Sequence, residues 1–320
     1  MEQNAANQPS QLTDVVKVRR AEENELHLII EWWLQDYSYC TCDHESLKMM
    51  HRFAGNGSLC AYQRETGQPI GFLMVANLNE DVAMAGWFIV KDAWRGKRVG
   101  QLLVENLRTH CGANRNLAIN AVPQNVKLYE KLGLKVDETW ENLKYVGLPV
   151  IRNLQPLPED DIVIVDKNSM TPNISRALFD YDKKIHAGIQ RTEIVNDFIC
   201  YRNSIVFVAT CGDVDDVIVV GYIIIMPTAV LDQYGVFPLY GNTPAIIQRL
   251  FCRAVEALHE RKEKASLILA VPSANTAAVK MVEAAGLCNE SLERRMYSSE
   301  FIPLDVSKIA SVLTDDVTLW

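Results

Sequence analysis

No stretch of this chain approaches 18 consecutive apolar residues, so none is long enough to cross a bilayer as an apolar helix. Basic residues are in the minority: 32 Lys and Arg stand against 40 Asp and Glu, for a net charge of −8. That balance argues against nucleic acid as the main partner, because phosphate backbones select positive surface. Residues 149–320 carry most of the negative excess. Residues 1–10 lack both a basic n-region and an apolar h-region, so residues 1–14 read as a disordered lead and not a signal peptide. The eight cysteines show no repeated spacing. In a chain this long they read as reduced thiols of a cytoplasmic protein. Cys40-Thr-Cys42-Asp-His44 is followed by no second cysteine pair at zinc-site spacing, so no metal is expected.

What the sequence does have is core: 48% of its 320 residues are apolar, enough for two domains of ordinary size. One stretch organises the rest. Trp87 to Val90 is a short apolar strand, and Lys91 to Gly100 is a loop holding Gly96, Gly100 and the cations Lys91, Arg95, Lys97 and Arg98. Gln101 to His110 then reads as a helix with Leu102, Leu103 and Leu107 on its apolar side. A strand, a basic glycine loop and a helix N-terminus together suit a phosphate group. The first helical N–H groups lack intrahelical partners, and the helix dipole is positive at that end. No Gly-Lys-Ser/Thr closes the loop, and the glycine spacing is not that of a dinucleotide fold.

The loop Arg95-Gly-Lys-Arg-Val-Gly100 resembles motif A of the GNAT N-acetyltransferases, Arg/Gln-x-x-Gly-x-Gly/Ala, with Arg98 standing at the central glycine. Asn125 to Gly133 follows as a helix with candidate caps at both ends. Its Leu128-Tyr-Glu-Lys-Leu-Gly-Leu134 resembles motif B of the same family. The resemblance implies acetyl-CoA as co-substrate. Arg95, Gly96, Lys97, Arg98, Val99 and Gly100 would hold its pyrophosphate, and Phe88, Ile89 and Val90 its pantetheine, with Asn125 nearby. It also implies that the Tyr129 hydroxyl protonates the departing thiolate. A phenol of pKa about 10 facing a thiol of about 8.5 makes that transfer cheap. A base for the acceptor amine is not singled out: Asp36, Asp43, His44, Glu80 and Asp81 are candidates.

Around these motifs the periodicity gives a strand at 16–20, helices near 26–37 and 45–53, strands at 58–63, 69–78 and 82–90, and strands at 116–122 and 138–147. Three prolines between 148 and 161 place a linker at 149–161. The order then repeats: a strand from 162, helices near 174–181 and 185–199, strands at 204–210, 216–226 and 235–239, a helix capped by Thr243 and opened by Pro244, a strand at 265–271 and a helix at 275–285. Ala270-Val-Pro-Ser-Ala-Asn275 echoes Ala121-Val-Pro-Gln-Asn125. The second copy lacks the working parts. Leu239-Tyr-Gly-Asn-Thr-Pro244 has no cation, and Val282 stands where the first half has Tyr129. With Tyr181-Asp-Lys-Lys-Ile-His-Ala-Gly-Ile-Gln-Arg191 and Arg295-Met-Tyr297, this half resembles the second, YitH/HolE-type acetyltransferase-like domain of tandem GNAT proteins.

The expectation is an α/β protein of the α+β GNAT type. Two tandem domains, 15–148 and a degenerate 162–320, would each have a mixed, mostly antiparallel sheet flanked by helices. The resemblance implies an N-acetyltransferase acting on a primary amine, with a pocket walled by Trp32, Trp33 and the second half favouring a small molecule. A non-catalytic acyl-CoA-binding protein and a peptide or protein N-acetyltransferase are the alternatives.

Overall fold

A computed structural model describes residues 12–313, apart from 38, 113, 156, 158–160, 214 and 215. The first half runs α1 (Leu12–Val15), β1 (Val16–Arg20), α2 (Leu26–Asp36), α3 (His44–Ala54), β2 (Ser58–Gln63), β3 (Pro69–Asn77), β4 (Val82–Val90), α4 (Val99–Cys111), β5 (Asn116–Ala121), α5 (Val126–Lys131) and β6 (Lys135–Gly147). The second half runs β7 (Val163–Asp166), α6 (Pro172–Ile185), α7 (Thr192–Cys200), β8 (Ile205–Cys211), β9 (Ile218–Pro227), β10 (Gln233–Gly241), α8 (Pro244–Arg261), β11 (Ser266–Pro272), α9 (Thr276–Ala284), β12 (Cys288–Tyr297) and β13 (Ile309–Ser311). From β1 to β6 and from β7 to β12 the element order is the same. Among the described residues no helix is long and apolar enough to cross a membrane.

Several boundaries differ from expectation for local reasons. The lead expected over 1–14 gives way to helix at Leu12, and residues 1–11 lie outside the described residues. The helices expected at 174–181 and 185–199 meet at a break, with Ala187 and Gly188 both at positive φ. The connection between the strands expected at 204–210 and 216–226 runs partly outside the described residues, and the linker expected at 149–161 contains a short 3₁₀ turn, Ile151–Asn153.

All thirteen strands join one sheet in the order β1-β2-β3-β4-β5-β12-β6-β11-β10-β9-β8-β7, with β13 beside β10. Among the described residues only β4–β5 and β10–β11 pair in parallel, and the other neighbouring pairs are antiparallel. The last strand of each repeated unit has crossed over: β12 lies against β5, and β6 lies against β11. The two exchanged strands pair with each other at the centre. Continuous sheet therefore runs through the place where a cut at residue 148 would fall.

Helices cover both faces. On one face α2, α3, α6 and α7 bury an apolar layer that spans both halves, from Leu26 and Phe72 to Tyr222 and Ile224. On the other face α4 packs on the first half through Leu103 and Leu107, and α8 packs on the second through Leu250 and Phe251. The halves also meet directly. Tyr201 donates to Asp43 Oδ2 at 2.5 Å, and the backbone N–H of Ala229 donates to the carbonyl of Cys42 at 2.9 Å.

Candidate active site

The site begins with an irregularity in β4. Phe72 of β3 pairs with Ile89 and Met74 with Gly86, so Leu73 alone faces both Trp87 and Phe88. This is a β-bulge, and it bends the strand. Trp87 takes a positive φ of 50°, rare for a bulky residue, while its indole stays fully buried at 4.9 Å from the Trp33 ring. Pairing of β4 with β5 ends at Ala85 and Ile119, just before the bulge. Past it the two strands part, leaving the backbone edge of Phe88 to Val90 unpaired to β5. A cleft of about 610 Å³ opens in the gap.

Phe88, Ile89, Val90, Arg95, Gly96, Arg98, Val99, Gly100 and Asn125 all line this cleft. Asp36, Tyr37, Trp94, Gln101, Gln124 and Leu128 line it as well. Leu128 belongs to the second motif and Asp36 is one of the base candidates; the other four owe their place to the fold. Lys97 is not among the lining residues, and its ammonium lies 5.2 Å from the centre of the Trp94 ring. Trp32 is buried against Phe72, at 5.4 Å between rings.

The loop geometry explains the motif. Gly96 sits at φ 71°, and Arg98, the N-cap of α4, sits at φ 66° in the left-handed region. A Cβ there costs roughly 1–2 kcal/mol, which is why glycine suits the position and why arginine is strained in it. Arg98 donates from Nε to Gln101 Oε1 at 3.1 Å. The helix starts at Val99, two residues before the expected Gln101. Gly100 is constrained by space: a Cβ there would come within 3.0 Å of the Phe88 ring. Arg98→Gly is expected to raise stability by about 1 kcal/mol, read as a higher urea midpoint. A lower midpoint would contradict the strain.

Arg95 is anchored on both sides. Its Nε donates to the Val90 carbonyl at 2.9 Å, and its guanidinium pairs with Asp36. It thus ties the end of β4 to the end of α2 at the mouth of the cleft. Of the base candidates, Asp36 alone lines the cleft. Asp43 caps α3 through the Ser46 N–H and also accepts from Tyr201. His44 stands beside Glu45 at the start of α3. Glu80 and Asp81 lie exposed in the β3–β4 turn.

Asn125 does not cap α5 with its side chain as expected: a 3₁₀ turn, Pro123–Asn125, feeds the helix directly. Its counterpart Asn275 does cap, accepting from the Ala278 N–H. Tyr129 is buried and is not among the residues that line the cleft. Its ring stands 6.3 Å from Phe88, in a cluster with Ile119, Leu134 and Met296. Phe88 is the shared wall between Tyr129 and the cleft.

In the second half the equivalent gap is filled by the chain itself. Parallel pairing of β10 with β11 ends at Gly235 and Ile268. Beyond that point β13 pairs with β10 at Leu239 and Tyr240, and the Val312 N–H donates to the Ala270 carbonyl of β11 at 3.1 Å. The linker closes the outer side, Gln155 accepting from Gln248 Nε2 at 2.6 Å.

A sheet with a bulged fourth strand, splayed from the fifth over a glycine loop and a helix N-terminus, is the GNAT fold. Residues 55–136 match the family model of the acetyltransferase (GNAT) domain. The holothin acyltransferase of Pseudoalteromonas sp. (strain SANK 73390) is 27% identical over 188 residues, which are 59% of this chain and 58% of that protein. A putative acetyltransferase from Pyrococcus horikoshii superimposes with a TM-score of 0.72 at 15% identity, covering 98% of this chain and 100% of its own. A tandem GNAT protein from the clavulanic acid biosynthesis pathway superimposes at 0.63 and 12% identity, covering 89% and 99%.

Proposed function

We propose that this protein is an N-acyltransferase that moves acetyl from acetyl-CoA to a primary amine of a small molecule, by direct attack in a ternary complex. The observation that carries this reading is the splay of β4 from β5 beside the loop of Arg95 to Gly100. Pantetheine amides would pair with the open edge of Phe88 to Val90, adding a short strand where β5 has left. Pyrophosphate would meet the N-terminus of α4, where unpaired N–H groups and the dipole favour anions. Arg95, fixed by Asp36 and the Val90 carbonyl, would set the loop's shape as well as its charge. Tyr129, whose ring stands beside Phe88, would donate its proton to the leaving thiolate. The match of residues 55–136 to the GNAT domain and the acyltransferase relative support the same class of chemistry.

The amine must arrive neutral or lose its proton. An alkyl ammonium of pKa about 10 is on the order of one part in a thousand neutral at pH 7. The filled gap between β10 and β11 leaves one cofactor slot per chain in this reading. The test is release of free CoA thiol from acetyl-CoA with a panel of amines. Amine-dependent release above the rate without protein is the expected result. Tight acetyl-CoA binding with no release for any amine would favour a binding protein instead.

A further inference from the structure

A second, smaller cavity lies behind the cleft, between the sheet and the helices α4 and α5. Its volume is about 20 Å³, and its walls are mostly apolar, with Leu73, Val104, Leu107 and Leu117 among them. Tyr129 borders it on the α5 side. Phe88 lines this cavity and the cleft alike, so its ring is the partition between them. The backbone of Gly100 backs that ring, with 3.0 Å between Phe88 Cζ and the place a Cβ would take.

The bulge in β4 is followed by side chains on opposite faces. Trp87 joins the core under α2 and α3, and Phe88 joins the core under α4. A thioester placed beside Phe88, where β4 and β5 part, would meet two unequal faces. The Trp87 face is packed with rings. The fully buried Trp87 lies 4.9 Å from Trp33, and Trp33 lies 5.0 Å from Tyr37, which lines the cleft. The Phe88 face holds the apolar cavity, and an acyl chain could lengthen only into it. With the ring in place the chain stops at the partition. Even behind the partition, about 20 Å³ is room for roughly one water-sized group. A packed interior takes an added methylene only with strain.

We propose that the Phe88 ring sets the length of the acyl group, admitting donors of two or three carbons and turning longer straight chains away. The inference rests on the acyl-CoA reading of the cleft and names the class of donor that it takes. The cause is steric and local. Taking the ring away joins the cleft to the cavity beneath α4, in a continuous apolar channel past Val104 and Leu107. Each methylene laid into that channel leaves water, which is worth roughly fourfold in affinity. A single substitution would thus turn a wall against long chains into a binding surface for them.

The test titrates CoA, acetyl-CoA and hexanoyl-CoA into the full chain by calorimetry, which needs no acceptor. The wild type is expected to bind acetyl-CoA roughly tenfold tighter than hexanoyl-CoA. Phe88→Ala should reverse that order. Adding Val104→Phe to Phe88→Ala refills the channel and should bring the preference for acetyl-CoA back. If Phe88→Ala fails to fold, Phe88→Leu with butyryl-CoA takes its place, and butyryl-CoA should gain on acetyl-CoA relative to the wild type. Hexanoyl-CoA bound by the wild type as tightly as acetyl-CoA, or a preference unmoved in the Phe88 variants, overturns the role of Phe88 while leaving the cofactor site standing. Failure of the wild type to bind both CoA and acetyl-CoA removes the underlying reading instead.

Discussion

Tyr129→Phe is expected to lower kcat by about 10²-fold or more while leaving the KM for acetyl-CoA unchanged. The substitution deletes one oxygen and keeps the ring. The ring is what packs with Ile119, Leu134 and Met296, so the fold has little reason to change. What is lost is a proton source. Without it the thiol leaves as a thiolate, a worse leaving group in a dry site than the neutral thiol. Steady-state kinetics with saturating amine would read the effect. An unchanged kcat would mean that Tyr129 fills space beside Phe88 and does no chemistry.

The second large effect lies far from the cleft. Arg191 and Asp182 are 1% and 2% exposed and face each other in the core of the second half. Arg191 donates to Asp182 from Nε at 3.1 Å and from a terminal nitrogen at 2.5 Å, and Tyr222 donates to the same carboxylate at 2.5 Å. Burial alone would raise the Asp182 pKa. Arg191, His186 and Tyr222 outweigh burial and hold it below the usual carboxylate range. Arg191→Met removes the cation and leaves the carboxylate buried. The expected cost is about 3–5 kcal/mol, measured by urea unfolding. Replacing both partners with apolar residues should restore most of it, because no buried charge is then left alone. The pH dependence follows from the lowered pKa. The stabilisation is fully present above the ordinary carboxylate pKa of about 4 and is lost as pH falls through the lowered folded value. Arg191→Met should therefore flatten the acid side of the stability curve. A wild-type-like urea midpoint in Arg191→Met would show that the pair carries no net stability.

Much of the fold could be read along the chain because its signals are local. Continuous apolar runs bounded by turn residues mark β3 and β4, and Thr243-Pro244 marks the start of α8 where it is found. The cleft was partly legible for the same reason, since its glycines and cations are contiguous in one loop. The strand exchange was not. Pairing of β6 with β11 and of β12 with β5 joins residues more than a hundred positions apart, and no local pattern distinguishes it from pairing within each half. Strand β12 was itself obscured. Its inward side carries Glu293 and Arg295, so the apolar alternation of a buried strand is replaced by charge. The residues that make the central pairing polar are the ones that hid it. Asn125 and Asn275 show the opposite hazard: similar sequence contexts, but one side chain caps its helix and the other does not.

The central claim is that one acetyl-CoA binds each chain, between β4 and β5. Isothermal titration of acetyl-CoA into the wild type and into Gly100→Val tests it most directly. At Gly100 a Cβ already comes within 3.0 Å of Phe88, so a branched side chain would fill the slot at the cleft wall. The wild type is expected to show one site per chain, and a folded Gly100→Val none. Two sites per chain, or binding that survives in Gly100→Val, would contradict it.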